Sequence, residues 1–127
     1  ASTHHGMTMS EPFPNLIDDL NAAIATLREG APGPMKAFSG LAREALAPAS
    51  LDVKTKELIA IAIAIATRCD GCVGFHVKAA IRAGATRAEV LETCSMAIYM
   101  GAGPSMIYAA ETLRAFDEIS AAQAAGR

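Results

Sequence analysis

The chain has 127 residues, of which 52% are hydrophobic, 19% charged and 5% aromatic, with a formal net charge of −2. That length organises one domain around one core, and the apolar content excludes intrinsic disorder. Three cysteines exclude a disulfide-rich secreted scaffold, and the slightly acidic balance supplies no basic surface for nucleic acid.

Residues 1–10, with His4, His5, Met7 and Met9, read as a tag remnant or disordered leader, and residues 11–127 as a single domain. The leader has no apolar segment with a basic flank, so it is no signal peptide. The longest apolar run, Leu58 to Ala66, is too short for a bilayer core of about 30 Å. The expectation is a cytoplasmic protein that engages neither membrane nor nucleic acid.

Pro12 and Pro14 open the ordered part. Leu16, Ile17, Leu20, Ile24 and Leu27 then share one helical face, and Gly30 closes that helix. Pro32-Gly33-Pro34 reads as a turn. Met35, Phe38, Leu41, Ala42, Ala45 and Leu46 come next as a second helix, stopped by Pro48. In the next segment Ile59, Ile61, Ile63 and Ile65 alternate with Ala, which is the period of a strand. Ala is depleted in strands, however, and Asp52 stands where a helix start favours an acid, so the segment reads as a helix buried nearly all round.

Cys69-Asp70-Gly71-Cys72 interrupts that pattern, and a short helix then runs to Ala83, ended by Gly84. Thr86 and Glu89 form a capping box for a helix with Val90, Leu91, Cys94, Ala97 and Ile98 on its apolar stripe. Gly101-Ala102-Gly103-Pro104 punctuates, and Pro104 suits the first turn of a last helix to about Ala122, after which the tail frays. The sum is all-α, with about six helices and short connections. About a fifth of the residues are Ala and Trp is absent, which lets helices approach closely. The apolar content exceeds what one small bundle hides, so a homo-oligomer is expected. Met96, Met100 and Met106 read as core or interface packing, and Cys94 as structural.

Four residues form the candidate site: Glu57, Cys69, Cys72 and His76. Cysteines three apart near a helix start can bring their alpha carbons within disulfide range. Cys72 and His76, four apart, lie on one helical face, so the imidazole can act as a base on the thiol. The helix N-terminus, with Arg68 beside it, adds positive potential, the condition that lowers a thiol pKa from about 8.5 into the range of roughly 3.5–7.5. Glu57, at the polar start of the preceding helix, can orient His76 or relay a proton, whereas alone it would read as a solvated carboxylate. The same four residues could in principle ligate zinc, although structural sites more often bring a second Cys or His pair. Haem attachment needs a histidine where Val73 stands, and a thioredoxin fold needs a βαβ context that is absent.

Lys54-Thr-Lys-Glu57, the Ile/Ala run, Cys69-x-x-Cys72-x-x-x-His76 and the later Gly84-Ala-Thr-x-x-Glu89 turn together resemble the carboxymuconolactone decarboxylase family, in its alkylhydroperoxidase AhpD-like branch. The matching stretch runs from about Leu41 to Glu111. The resemblance implies an AhpD-like helical bundle assembled as trimers or hexamers, with the thiol site at a helix start near a subunit contact. It implies a peroxidatic Cys72, a resolving Cys69, His76 as base and Glu57 as a relay through water. An organic hydroperoxide is the implied substrate and a lipoyl-bearing or thioredoxin-like dithiol protein the implied reductant, with no cofactor and no metal. The best-known AhpD enzymes carry a histidine just before the second cysteine, where this chain has Gly71. Two alternatives stand beside this reading: a decarboxylase-like lyase acting on a small lactone acid without the cysteines, and a non-enzymatic zinc-binding or thiol-sensing oligomer.

Overall fold

The computed structural model describes residues 11–126, so the leader and its two histidines lie outside the described residues. Five helices and no strand are present among them: α1 (Phe13–Gly30), α2 (Pro32–Leu46), α3 (Val53–Thr67), α4 (Asp70–Arg82) and α5 (Arg87–Ala124). The count is five rather than six because the expected fifth and sixth helices follow each other within α5 with no loop between them. Ala102, at φ 58° and ψ −142°, breaks the helical path inside α5, with Pro104 just after it. The Gly-Ala-Gly-Pro signal therefore marks a kink rather than a loop.

Each helix begins or ends for a chemical reason. Pro12 has no side chain to cap α1, and the Glu118 carboxylate of α5 takes that part, accepting the Phe13 N–H at 2.8 Å. Pro32 and Pro34 lie in the first turn of α2, where a missing N–H costs nothing, so the expected turn is the helix start itself. At the other end of α2, Lys56 Nζ donates to the carbonyls of Ala45 and Ala47, at 2.9 and 2.6 Å. The Asp52 carboxylate accepts the Thr55 N–H and caps α3. Thr86 and Glu89 make the expected reciprocal capping box at the start of α5.

The core lies where α3, α4 and α5 meet. Ile61 and Ile65 of α3 pack with Val73, Val77 and Ala80 of α4 and with Val90, Cys94, Ala109, Ala115 and Ile119 of α5. Each fully buried Val or Ile side chain of this set stabilises the fold by roughly 1.5–3 kcal/mol. Phe13 and Ile17 anchor α1 on this core, passing so close to α4 that a side chain at Gly74 would meet both at 3.2 Å. Helix α2 contributes no buried residue.

Helix α3 is not buried all round. Ile61 and Ile65 are inaccessible, but Ile59 and Ile63 are 44% and 57% exposed. An Ile every second residue advances about 200° around a helix, so successive members of the run point to opposite sides. Met96, Met100 and Met106 are also exposed, which removes them from the core. Cys94 is buried, its Sγ 3.7 Å from the Ala109 carbonyl oxygen, and burial pushes its thiol pKa up. No helix among the described residues is long and apolar enough to cross a membrane.

Candidate active site

The two cysteines sit where the chain turns from α3 into α4. Thr67 ends α3 and Asp70 begins α4, leaving only Arg68 and Cys69 between them. Arg68 adopts left-handed φ/ψ of 58° and 50°, its N–H bonds the Ile65 carbonyl, and the Cys69 N–H reaches back to Ala64. This is the double hydrogen bond of a Schellman stop, which turns the chain through a single left-handed residue. Cys69 thereby becomes the N-cap of α4, its Sγ accepting the Cys72 N–H at 3.2 Å. Cys69 and Cys72 are disulfide-bonded, with alpha carbons 5.2 Å apart.

The same reversal lays α4 back along α3. Glu57 stands about 15 Å before the end of α3, and His76 about 10 Å into α4, so the hairpin brings them level. The Glu57 carboxylate Oε1 lies 2.6 Å from His76 Nδ1. The side chains differ sharply in exposure, 5% for Glu57 and 35% for His76. A buried carboxylate accepts, so Nδ1 carries the proton and donates, and in the neutral ring Nε2 is the atom left to take up a proton. Of the expected grouping, the structure brings together Cys69 with Cys72 at the start of α4 and Glu57 with His76, which stands one turn beyond Cys72. Glu57 proves to be interior rather than solvated, because α4 covers the first turns of α3.

Among the described residues, no group of three or more His, Cys, Asp or Glu side chains is arranged to hold a metal ion. The zinc set weighed from the sequence is not assembled: the two sulfurs are bonded to each other and Glu57 is engaged by His76.

Three neighbours of the pair were not singled out by the sequence. Asp70 lies between the cysteines in the first turn of α4, where a carboxylate suits the helix N-terminus. The Tyr108 hydroxyl of α5 donates to it; that bond, then burial, raises the phenol pKa. Leu20 of α1 covers Gly71 so closely that a beta carbon there would come within 2.7 Å of its Cδ1. The space that a side chain before Cys72 would need is therefore held by Leu20. Tyr108 and Leu20 lie far from the motif along the chain, and no spacing rule points to either.

Beside Glu57 the groove between α1, α3 and α4 widens into a cavity of about 490 Å³. Ile17 and Asn21 of α1, Val53 and Glu57 of α3, and Phe75, Lys78 and Arg82 of α4 contribute to its walls. It opens on the carboxylate that holds His76, one turn along α4 from Cys72.

Comparison with known proteins identifies the family of the chain. The sequence profile of the carboxymuconolactone decarboxylase family matches residues 32–115. A protein of unassigned function from Cupriavidus necator is 36% identical over 113 residues, covering 89% of this chain and all of its own length. Among solved structures, a Legionella pneumophila member of the family, lpg0406 in its apo form, is 49% identical with a TM-score of 0.83. That match covers 85% of this chain and 96% of the other. A Thermotoga maritima member, for which a part in an antioxidative response has been suggested, is 25% identical with a TM-score of 0.75, over 85% of this chain and 95% of its own. By profile, by identity along nearly its whole length and by fold, the chain belongs to the carboxymuconolactone decarboxylase family.

Proposed function

We propose that the protein is a cytoplasmic, AhpD-like thiol-dependent reductase of organic hydroperoxides that cycles through the Cys69–Cys72 disulfide. The observation that carries this reading is the 2.6 Å contact between buried Glu57 and His76 Nδ1, one turn from a cysteine pair that opens the same helix. The role suggested for the Thermotoga maritima relative points the same way.

In the reduced protein His76 Nε2 takes the Cys72 proton, and Glu57 steadies the resulting imidazolium. The Cys72 thiolate attacks the terminal peroxide oxygen. An S–O bond forms, the O–O bond breaks, and the leaving alkoxide takes a proton to depart as alcohol, leaving a sulfenic acid on Cys72. The Cys69 thiol then displaces the hydroxyl as water and closes the disulfide. A dithiol protein, lipoyl-bearing or thioredoxin-like, reopens it by exchange. The Cys72 N–H that points at Cys69 Sγ favours negative charge there, so Cys69 is the better leaving thiolate and the reductant's mixed disulfide forms on Cys72.

The assembly in this reading is a trimer or hexamer. Exposed Phe38 and Leu41 on α2, with Ile59, Ile63, Tyr99 and Met100 on α3 and α5, supply the apolar surface for it.

The test is an intact-mass and free-thiol count on reduced protein before and after one equivalent of cumene hydroperoxide. Fast loss of two thiols, mapped to Cys69 and Cys72 with Cys94 untouched, is the expected result. Slow or absent loss would overturn peroxide reduction and leave disulfide exchange as the activity of the pair.

A further inference from the structure

We infer that the cavity beside Glu57 is a binding subsite for an amphiphilic organic acid, its carboxylate held by Lys78 and Arg82 and its alkyl body lying along α4 toward Cys72. This rests on the redox reading of the thiol pair only for the identity of the ligand's far end, which would carry the hydroperoxide.

The cavity, about 490 Å³, is large enough for a small organic ligand. Its walls divide by chemistry along α4. Phe75, with Ile17 and Val53 opposite, gives an apolar stretch, and Lys78 and Arg82 lie beyond it toward the C-terminal end of the helix. Residues 75, 78, 79 and 82 recur at three-and-four spacing, so all four present themselves on the side of α4 that faces the cavity. Cys72 precedes Phe75 by three residues and falls on the continuation of this face. Along the helix axis Lys78 lies about 9 Å from Cys72 and Arg82 about 15 Å, the reach of a medium-chain acid.

Neither cation is paired among the described residues. The ion pairs among the described residues use Lys54, His76, Arg87 and Arg114, and no bond of Lys78 or Arg82 to another described residue occurs. Arg82 has a structural reason to be where it is, since a cation in the last turn of a helix meets favourable potential. Lys78, one turn earlier and half-buried, has no such reason; it lines this groove and, with Asp18, the neighbouring hollow between α1, α4 and α5. Asn21 adds an amide across the groove that can donate to the same anion. Glu57 marks the deep end, being buried where Arg82 is exposed, so a ligand with its charge at one end is turned tail inward. With two cations and one carboxylate in the walls, a monoanion leaves the site neutral, whereas a phosphate dianion would leave it negative.

The test uses the oxidised full-length protein and needs no turnover. Octanoate and 1-octanol, equal in chain length, are titrated by calorimetry, and backbone amide shifts are tracked by NMR. Octanoate is expected to bind at least about tenfold tighter than octanol, with shifts concentrated at Asn21, Phe75, Lys78 and Arg82. Lys78→Met and Arg82→Met should each weaken octanoate about tenfold and leave octanol unchanged. Equal affinity for acid and alcohol, or octanoate binding that survives the Lys78→Met/Arg82→Met double variant, overturns the subsite. Octyl phosphate binding tighter than octanoate would also overturn it, in favour of a phosphate ligand. Octanoate binding in a protein that loses no thiols to hydroperoxide would instead overturn the redox reading and leave the subsite standing.

Discussion

His76 has one ring nitrogen engaged by Glu57, and this engagement rests on a carboxylate from a different helix. Glu57→Gln keeps the shape but replaces an anionic acceptor with a neutral amide that can present either end to Nδ1. Hydroperoxide turnover should fall about tenfold to a hundredfold, with the thiol count of the reduced protein unchanged. His76→Ala should remove more, and iodoacetamide alkylation of Cys72 at neutral pH should slow with it; an unchanged alkylation rate would remove His76 as the base. A second residue-scale expectation concerns Ala102, whose φ of 58° with ψ of −142° lies in a region that glycine tolerates and alanine does not. Ala102→Gly should therefore raise stability by about 1 kcal/mol in urea unfolding, against the usual penalty for glycine near a helix. The cysteines and histidine were legible from spacing alone, because a three-and-four interval fixes a shared face wherever the helix lies. The burial of Glu57 was not, because nothing local says which side of α3 another helix will cover.

At the scale of elements, the α3–α4 hairpin builds the site and the start of α5 braces it. Glu89 closes the capping box of α5 and also accepts Lys54 Nζ of α3 at 2.9 Å. The Lys54 hydrogen bond, and after it the Thr86 N–H, holds the Glu89 carboxyl below its ordinary value. A carboxylate whose pKa is lowered by folding adds stability above its unfolded pKa of about 4.3, and that contribution disappears as pH falls through the lower folded value. Glu89→Gln should therefore flatten the acid limb of the stability profile, measured as urea midpoints from about pH 5 to pH 2, relative to the parent chain. The packing of α1 on α4 depends on the bare alpha carbon of Gly74 against Phe13 and Ile17. Gly74→Val should cost about 1–3 kcal/mol through overpacking, read from the thermal midpoint. Helix existence was legible for every element, and with it the Asp52 start of α3 and the capping box of α5. Pro32-Gly33-Pro34 was read as a turn because prolines end helices as readily as they start them. The residues after the prolines settle which of the two occurs, and Met35 through Leu46 carry the helix on.

Across the whole molecule the apolar surface is distributed in a way one subunit does not account for. Helix α2 is amphipathic yet buries nothing, with Phe38 and Leu41 each more than 60% exposed. On the α3 and α5 side, Ile63, Met96 and Met100 line an apolar hollow of about 260 Å³. If these faces hold subunits together, a charge on either should be poorly tolerated in the assembly and harmless to the fold. Leu41→Glu and Ile63→Glu should each raise the subunit dissociation constant at least about a hundredfold by light scattering, with the helical circular dichroism signal intact. A monomeric parent chain would contradict the expectation at the outset.

The amino-acid sequence by itself determined the all-helical class and the family resemblance and pointed to the four residues proposed as the thiol site, because periodicity, capping and motif spacing are properties of neighbours along the chain. Only the tertiary structure decided which Ile side chains of α3 enter the core, that Glu57 is interior and bonded to Nδ1 rather than Nε2, that Leu20 holds the space over Gly71, and that Lys78 and Arg82 share a cavity with Glu57. Those outcomes depend on where one helix lies against another. That placement is set by how all the apolar faces are covered together, which no local stretch of sequence encodes.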